Sequence, residues 1–213
     1  IILAAIVASI GVLYSNVAVI IGSMVIAPLL SSSMALSLAT TLADKKLARE
    51  AIITSLIGYL IAIIIGIIFG LLFTIDPTAA EIVSRTDINL MYIILAFASG
   101  IAGALSFTKG ISQALVGVIV AVALLPPLVV TGILLGSLHW SQALGSFLLF
   151  SINVVCINLS SVVTFLTQGI TPKKWWEKQK SKQSIKKAIL IWTSMLLVLV
   201  LLIILYQFIS GEL

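Results

Sequence analysis

Two stretches put helix-breaking and hydroxyl-bearing residues where the chain is otherwise apolar. VIAPLLSSSM (25–34) carries Pro28, then Ser31, Ser32 and Ser33, with Ser23 just ahead of it. LLPPLVVTG (124–132) carries Pro126 and Pro127, then Thr131 and Gly132. Proline has no N–H, and its ring disfavours helical geometry in the residue before it. Pro28 therefore deprives the Met24 carbonyl of its helical donor, and Pro126 and Pro127 do the same to Val122 and Ala123. In hydrocarbon an unpaired polar group is costly. Freed backbone must then be met by protein or by a water-lined cavity. A half-helix that starts at a break presents bare N–H groups and a positive dipole end, which suit an anion or the acidic end of a zwitterion. The serines can cap such a start. The chemistry on offer is binding and passage of a small polar or anionic solute. The plainer alternative is that the prolines only kink their helices and the serines only pack them.

A third polar group lies further on: Ser151, Asn153, Asn158, Ser160, Ser161 and Thr164. Asn153, Ser160, Ser161 and Thr164 fall on or near one helical face, and Asn158 shares another with Ser151. Both asparagines should point inward, either to bond neighbouring helices or to line a polar pathway. Asn158-Leu159-Ser160 matches a glycosylation acceptor, but its mid-span position sets that aside. Gly66 and Gly70 form a G-x-x-x-G, which serves close packing inside one subunit or an oligomer seam. His139 has no second histidine or carboxylate near it, so no metal site is expected. There is no serine–histidine–acid set, metal-ligand cluster or phosphate loop. An enzyme and a bound cofactor are therefore not expected.

Composition sets the frame for these residues. Of 213 residues, 61% are hydrophobic and 9% charged, and the mean hydropathy is +1.29. A soluble domain carries roughly 25% charged residues. The fold class is all-α, a polytopic membrane protein. A β-barrel is disfavoured because the apolar runs are continuous rather than alternating. The chain opens inside an apolar run with no charged segment before it, unlike a signal peptide; further chain ahead of Ile1 is expected. The single cysteine, Cys156, allows no internal disulfide.

A span needs about 20 helical residues. Seven apolar segments qualify or nearly so: 1–13, 17–42, 51–73, 89–106, 111–135, 142–167 and 189–209. Lys45, Lys46, Arg49, Lys109 and the seven lysines of 173–187 fall in alternate loops, which places 11 of the 12 basic residues on one side. By the positive-inside rule that side is cytoplasmic. Arg85 alone is external, with Asp76, Glu81 and Asp87. The Ile1 end is then cytoplasmic and the C-terminus external, in a plasma membrane. No charged residue lies near the middle of a span, which disfavours a carboxylate proton relay.

Sliding the chain by 99 positions lays Pro28 on Pro127, with Gly11 on Gly110 and Leu29 on Leu128. Segments one to three and four to six are then two triplets running in opposite directions, each with a proline-broken middle helix. This 3+3 inverted repeat is a plan of many secondary transporters. The expected organisation is a core over 1–170, with repeats 1–73 and 89–167. A basic amphipathic linker (171–188) and a last helix (189–213) follow. In TPKKWWEKQKSKQSIKK (171–187), Lys173, Lys174, Trp175 and Trp176 suit an anionic cytoplasmic lipid surface; nucleic acid need not be invoked.

SNVAVIIGSMVIAPLLSSSMALSLATTLAD (15–44), ALLPPLVVTGILLG (123–136), NVVCINLSS (153–161) and PKKWWE (172–177) together resemble a prokaryotic family. It is the integral-membrane uncharacterised hydrophobic domain family, domain of unknown function three hundred eighty-nine. In that family APL is commonly followed by Met-Gly-Pro; here Leu30, Ser31 and Ser32 stand there, and the second proline is absent. The resemblance implies a membrane core, often with a soluble segment before the first span, and names no activity. Two functional expectations follow from the residues. The first is a transporter or channel whose site forms where residues 27–33 approach 125–132. The alternative is a homo-oligomeric scaffold or sensor that anchors a soluble regulatory part.

Overall fold

The computed structural model describes the backbone of residues 1–87, 90–109, 113–171 and 175–210. Side chains are described for these residues except 90, 113–122, 175–182, 184, 209 and 210. Among the described residues the fold is entirely helical. The elements are α1 (Ile2–Leu13), α2 (Val17–Ile26), α3 (Leu29–Leu42), α4 (Lys45–Leu72) and α5 (Ala80–Thr86), then α6 (Leu90–Lys109), α7 (Gln113–Gly136), α8 (Trp140–Thr167) and α9 (Trp175–Ser210).

Local chemistry sets several of these boundaries. The Asn16 side chain accepts from the Val19 N–H at 3.2 Å and caps α2. Asp44 caps α4 by accepting from the N–H groups of Lys46 and Leu47, each at 3.0 Å. Ala27, the residue before Pro28, is extended with ψ of 121°, as a pre-proline residue prefers. There α2 ends, and α3 resumes at a bend of 48°.

Four described helices are long and apolar enough to cross a membrane, and five if the bent α2–α3 pair is one span. At 12 residues, α1 reaches only about 18 Å. The packing has a membrane pattern. On α4 the buried residues are Ala51, Ser55, Gly58, Ala62, Gly66 and Gly70, small residues spaced by one helical turn. Leu56, Leu60, Ile64 and Ile68 point outward. Small residues inside and branched aliphatics outside reverse the soluble pattern, because lipid is as apolar as leucine.

The core centres on α8, whose inner face meets α3, α6, α7 and α9. One expectation about helix continuity is corrected. The middle helix of the second triplet is not broken: α7 runs as one helix through Pro126 and Pro127. From Trp175 the basic segment runs into the apolar stretch after it as one 36-residue helix, since no proline or glycine interrupts residues 175–210.

Candidate functional site

The continuity of α7 has a visible cause. Pro127 cannot donate to the Ala123 carbonyl, its usual i−4 acceptor. Asn153 of α8 does so instead: its Nδ2 donates to the Ala123 oxygen at 2.8 Å. One turn on, the Pro127 carbonyl accepts from Thr131 Oγ1 and from Ser146 Oγ, both at 2.7 Å. The Asn153 amide of α8 thus stands in for the backbone donor missing at Pro127, and the helix need not part.

Because Ala123 O is an acceptor, the Asn153 nitrogen must face it, which fixes the orientation of the amide. Its Oδ1 is left buried without a hydrogen-bond partner. A buried acceptor with no donor costs about 1–3 kcal/mol. Asn153 lies at the midpoint of α8 and lines a cavity of about 210 Å³ together with Ser84, Arg85, Tyr92, Leu95, Ala96, Ala123, Pro127 and Leu149. The cavity runs from α5 and the first turns of α6 down to the prolines of α7.

Short α5 closes the end of this space. Ile82 anchors it in the core at 2% exposure, and Gly145 of α8 lets the Thr86 carbonyl come close, since a Cβ there would stand 2.8 Å from it. Arg85 pairs with Glu81 at 2.6 Å. Its Nη1 also donates to the Glu81 carbonyl and to Ser84 Oγ. Tyr92 donates from its hydroxyl to the Ser84 carbonyl at 3.2 Å, tying α6 to α5. Arg85 lines the cavity while Glu81 is not among the described lining residues. In the preceding loop, hydrogen bonds from the Thr78 hydroxyl and N–H hold the Asp76 carboxyl below its usual range.

The residues of VIAPLLSSSM are placed differently. None of residues 27–33 is among the described residues lining that cavity. Pro28 and Ser31 are exposed on the bundle surface. No serine caps α3: Ser32 Oγ donates back to the Leu29 carbonyl at 3.1 Å, the i−3 bond a hydroxyl makes inside a helix. Ser33 is buried and makes no hydrogen bond of normal geometry, although the Tyr59 hydroxyl of α4 is close enough to interact with it and with Ser55. Ser23 Oγ is spent on the Ile20 carbonyl at 2.6 Å. The expected convergence of 27–33 with 125–132 is thus limited to helix contact, since α2 and α3 both touch α7.

The other polar residues of α8 hold helices together. Asn158 donates to the Val154 carbonyl at 2.8 Å, and its Oδ1 accepts from Ser37 Oγ of α3 at 3.1 Å. Ser161 Oγ donates to the Gly100 carbonyl of α6 at 3.1 Å. Replacing Asn158 with leucine leaves the Ser37 hydroxyl only the longer bond to the backbone carbonyl of residue 158, at 3.4 Å; stability should fall by about 1 kcal/mol, read as a lower midpoint in thermal unfolding in detergent. Gly66 and Gly70 pack within the chain, against Gly132 and Gly136 of α7, so neither is left for an oligomer seam. Lys173 and Lys174 lie outside the described residues; Trp175 and Trp176 are helical, but their side chains lie outside them. Among the described residues, no three of His, Cys, Asp and Glu gather as a metal group would require.

Sequence reasoning missed Ser84, Arg85 and Tyr92 as site residues. The available signal was Arg85 itself, the one basic residue outside the alternate-loop pattern of the others, with Glu81 one turn before it.

This arrangement can be set beside known proteins. The sequence profile described as Domain of unknown function (DUF389) matches residues 24–159, more than half of the chain. The chain belongs to the DUF389 family. It is also similar to a protein named Uncharacterized protein MJ0678 from Methanocaldococcus jannaschii, with 41% identity over 203 residues. The match covers 95% of this chain and 63% of that relative's length. No solved structure matches the chain. In this DUF389 member the family match takes in the Pro28 break, both prolines of α7, Asn153 and Asn158, and stops short of α9.

Proposed function

We propose that this DUF389 chain is a membrane transporter or channel for a small polar or anionic solute, and that it is not an enzyme. The site is the Pro127–Asn153 level of α7 and α8 rather than the Pro28 break. One observation carries this reading: a cavity that joins Arg85 and Ser84 at the end of the bundle to Asn153 at the midpoint of α8. Intramembrane polar residues facing a cavity are where solute pathways are built.

Seven spans and a 3+3 inverted repeat belong to the same proposal. Within each triplet the helices touch one another, α1 with α2 and α4, α3 with α4, and α6, α7 and α8 mutually. The contact of α4 with α7 has its counterpart in that of α8 with α3. We orient α5 and Arg85 to the outside of a plasma membrane and the lysine-rich ends to the cytoplasm, where anionic lipid would hold residues 173–187. Self-association through a surface other than Gly66 and Gly70 is compatible with this arrangement.

The test is solute flux into proteoliposomes, compared with Ser84→Trp. Ser84 is exposed at the rim of the cavity, so an indole there should block entry without disturbing the core. Flux should fall about tenfold or more, equivalent to about 1.4 kcal/mol, with the unfolding midpoint unchanged. Undiminished flux through a folded Ser84→Trp protein would refute the site. A second reading, a scaffold or sensor for a soluble part, draws on the relative's length, of which this chain spans 63%. Absence of flux for every small solute would favour it.

A further inference from the structure

We propose that the cavity takes a small amphiphile, a polar head on a short hydrocarbon body, the class of the short-chain monocarboxylates. This rests on the solute-pathway reading above and names its substrate class.

The polar groups of the wall are already engaged. The Asn153 nitrogen donates to the Ala123 carbonyl, and its Oδ1 is sealed from solvent. The Pro127 carbonyl accepts from Thr131 and Ser146. The Arg85 charge is paired with Glu81 at 2.6 Å, which leaves the rim without net charge. Tyr92 donates to the Ser84 carbonyl. The rest of the wall is hydrocarbon: Leu95, Ala96, Ala123, Pro127 and Leu149, all buried except Leu95 at the mouth.

Such a wall sorts solutes by their apolar part. An inorganic ion that moved down to it would give up hydrogen bonds to water and meet none in exchange, which is costly. A hydrocarbon body gains there, by about fourfold in affinity for each CH2 buried. The head has a separate place. Ser84 is exposed and stands with Arg85 and Tyr92 at the end of the cavity under α5, so a head held there keeps its water. Space sets the length of the body. A methylene group takes about the 30 Å³ of a molecule in liquid water, so a cavity of about 210 Å³ holds a chain of about six carbons.

The probes are the straight-chain carboxylates from acetate to decanoate. Binding to the purified protein is measured by calorimetry at pH 8, where every head is ionised, alongside flux of each into proteoliposomes. Affinity should climb about fourfold with each CH2 up to about six carbons, and then level off. Leu149→Ala should carry the rise to longer chains, and Ser84→Trp should weaken every member that binds. Equal affinities across the native series would overturn the inference, whether or not Leu149→Ala folds. A rise that continues through decanoate and is indifferent to Ser84→Trp would be partition into detergent, and would overturn it too. Flux of chloride or phosphate beside a flat series would sink the ligand class and leave the pathway standing. The expected series with no flux of any member would sink the pathway and leave the binding site.

Discussion

Alanine at both Pro126 and Pro127 should cost the protein its solute flux and leave it as stable as before, or more so. Each alanine restores a backbone N–H to α7, and the one at 127 reaches the Ala123 carbonyl that Asn153 now serves. A helical hydrogen bond contributes about 0.5–1.5 kcal/mol, so the double variant should unfold at an equal or higher temperature. The Asn153 amide then loses its fixed partner and can turn, which changes the cavity wall at the level of Pro127. Flux should fall about tenfold or more, the consequence of losing about 1.4 kcal/mol of solute interaction. Retained flux in a firmer protein would mean that the prolines serve only helix shape.

A larger effect on stability is expected where α4 crosses α7. A Cβ on Gly66 would stand 2.6 Å from the Val129 carbonyl oxygen and 2.9 Å from Gly132 Cα. A Cβ on Gly136 would collide with the Ile67 carbonyl and come within 3.1 Å of Gly70 Cα. These neighbours are backbone, so no side chain can swing aside. Gly66→Val or Gly136→Val must push the two helices apart, and overpacking of this kind costs about 3 kcal/mol. The measurement is the unfolding midpoint in detergent, with Gly22→Ala as the control, because nothing lies within 4 Å of a Cβ there. Equal midpoints for Gly66→Val and Gly22→Ala would contradict the crossing.

The all-helical fold was legible in residues 1–213 because hydropathy and run length decide it. The Pro28 break was legible too, since pre-proline geometry acts locally on Ala27. The unbroken α7 was not. Whether Pro126 and Pro127 part a helix depends on what replaces their missing donors. The replacement at Ala123 comes from Asn153, 26 residues beyond Pro127 in the chain, which no local rule reports. Asn153 was singled out for its polarity, but its partner was not foreseeable. In the small-residue stripe from Ala51 to Gly70 only Gly66 and Gly70 stand out as a motif, although the one-turn spacing is there in full. Ser31–Ser33 looked like caps because their type and position fit. In the fold they bond inward or face out, since α3 begins on Pro28 with no side chain capping it. Charge alone places Arg85 in an external loop; that it sits on α5 and lines a cavity is a tertiary fact.

The most direct test is thiol accessibility at the floor of the cavity. Leu149 lines it at 3% exposure, and native Cys156, two turns further along the same face of α8, is fully buried. Leu149→Cys in a Cys156→Ser background would be treated with a small charged thiol reagent in membranes, beside native protein bearing Cys156 alone. If solute enters past Arg85 to the level of Asn153, the cysteine at 149 reacts quickly while Cys156 stays inert, and Ser84→Trp slows the reaction at 149. A cysteine at 149 as unreactive as Cys156 would mean that no aqueous path reaches Pro127, and the assignment of the site would be wrong.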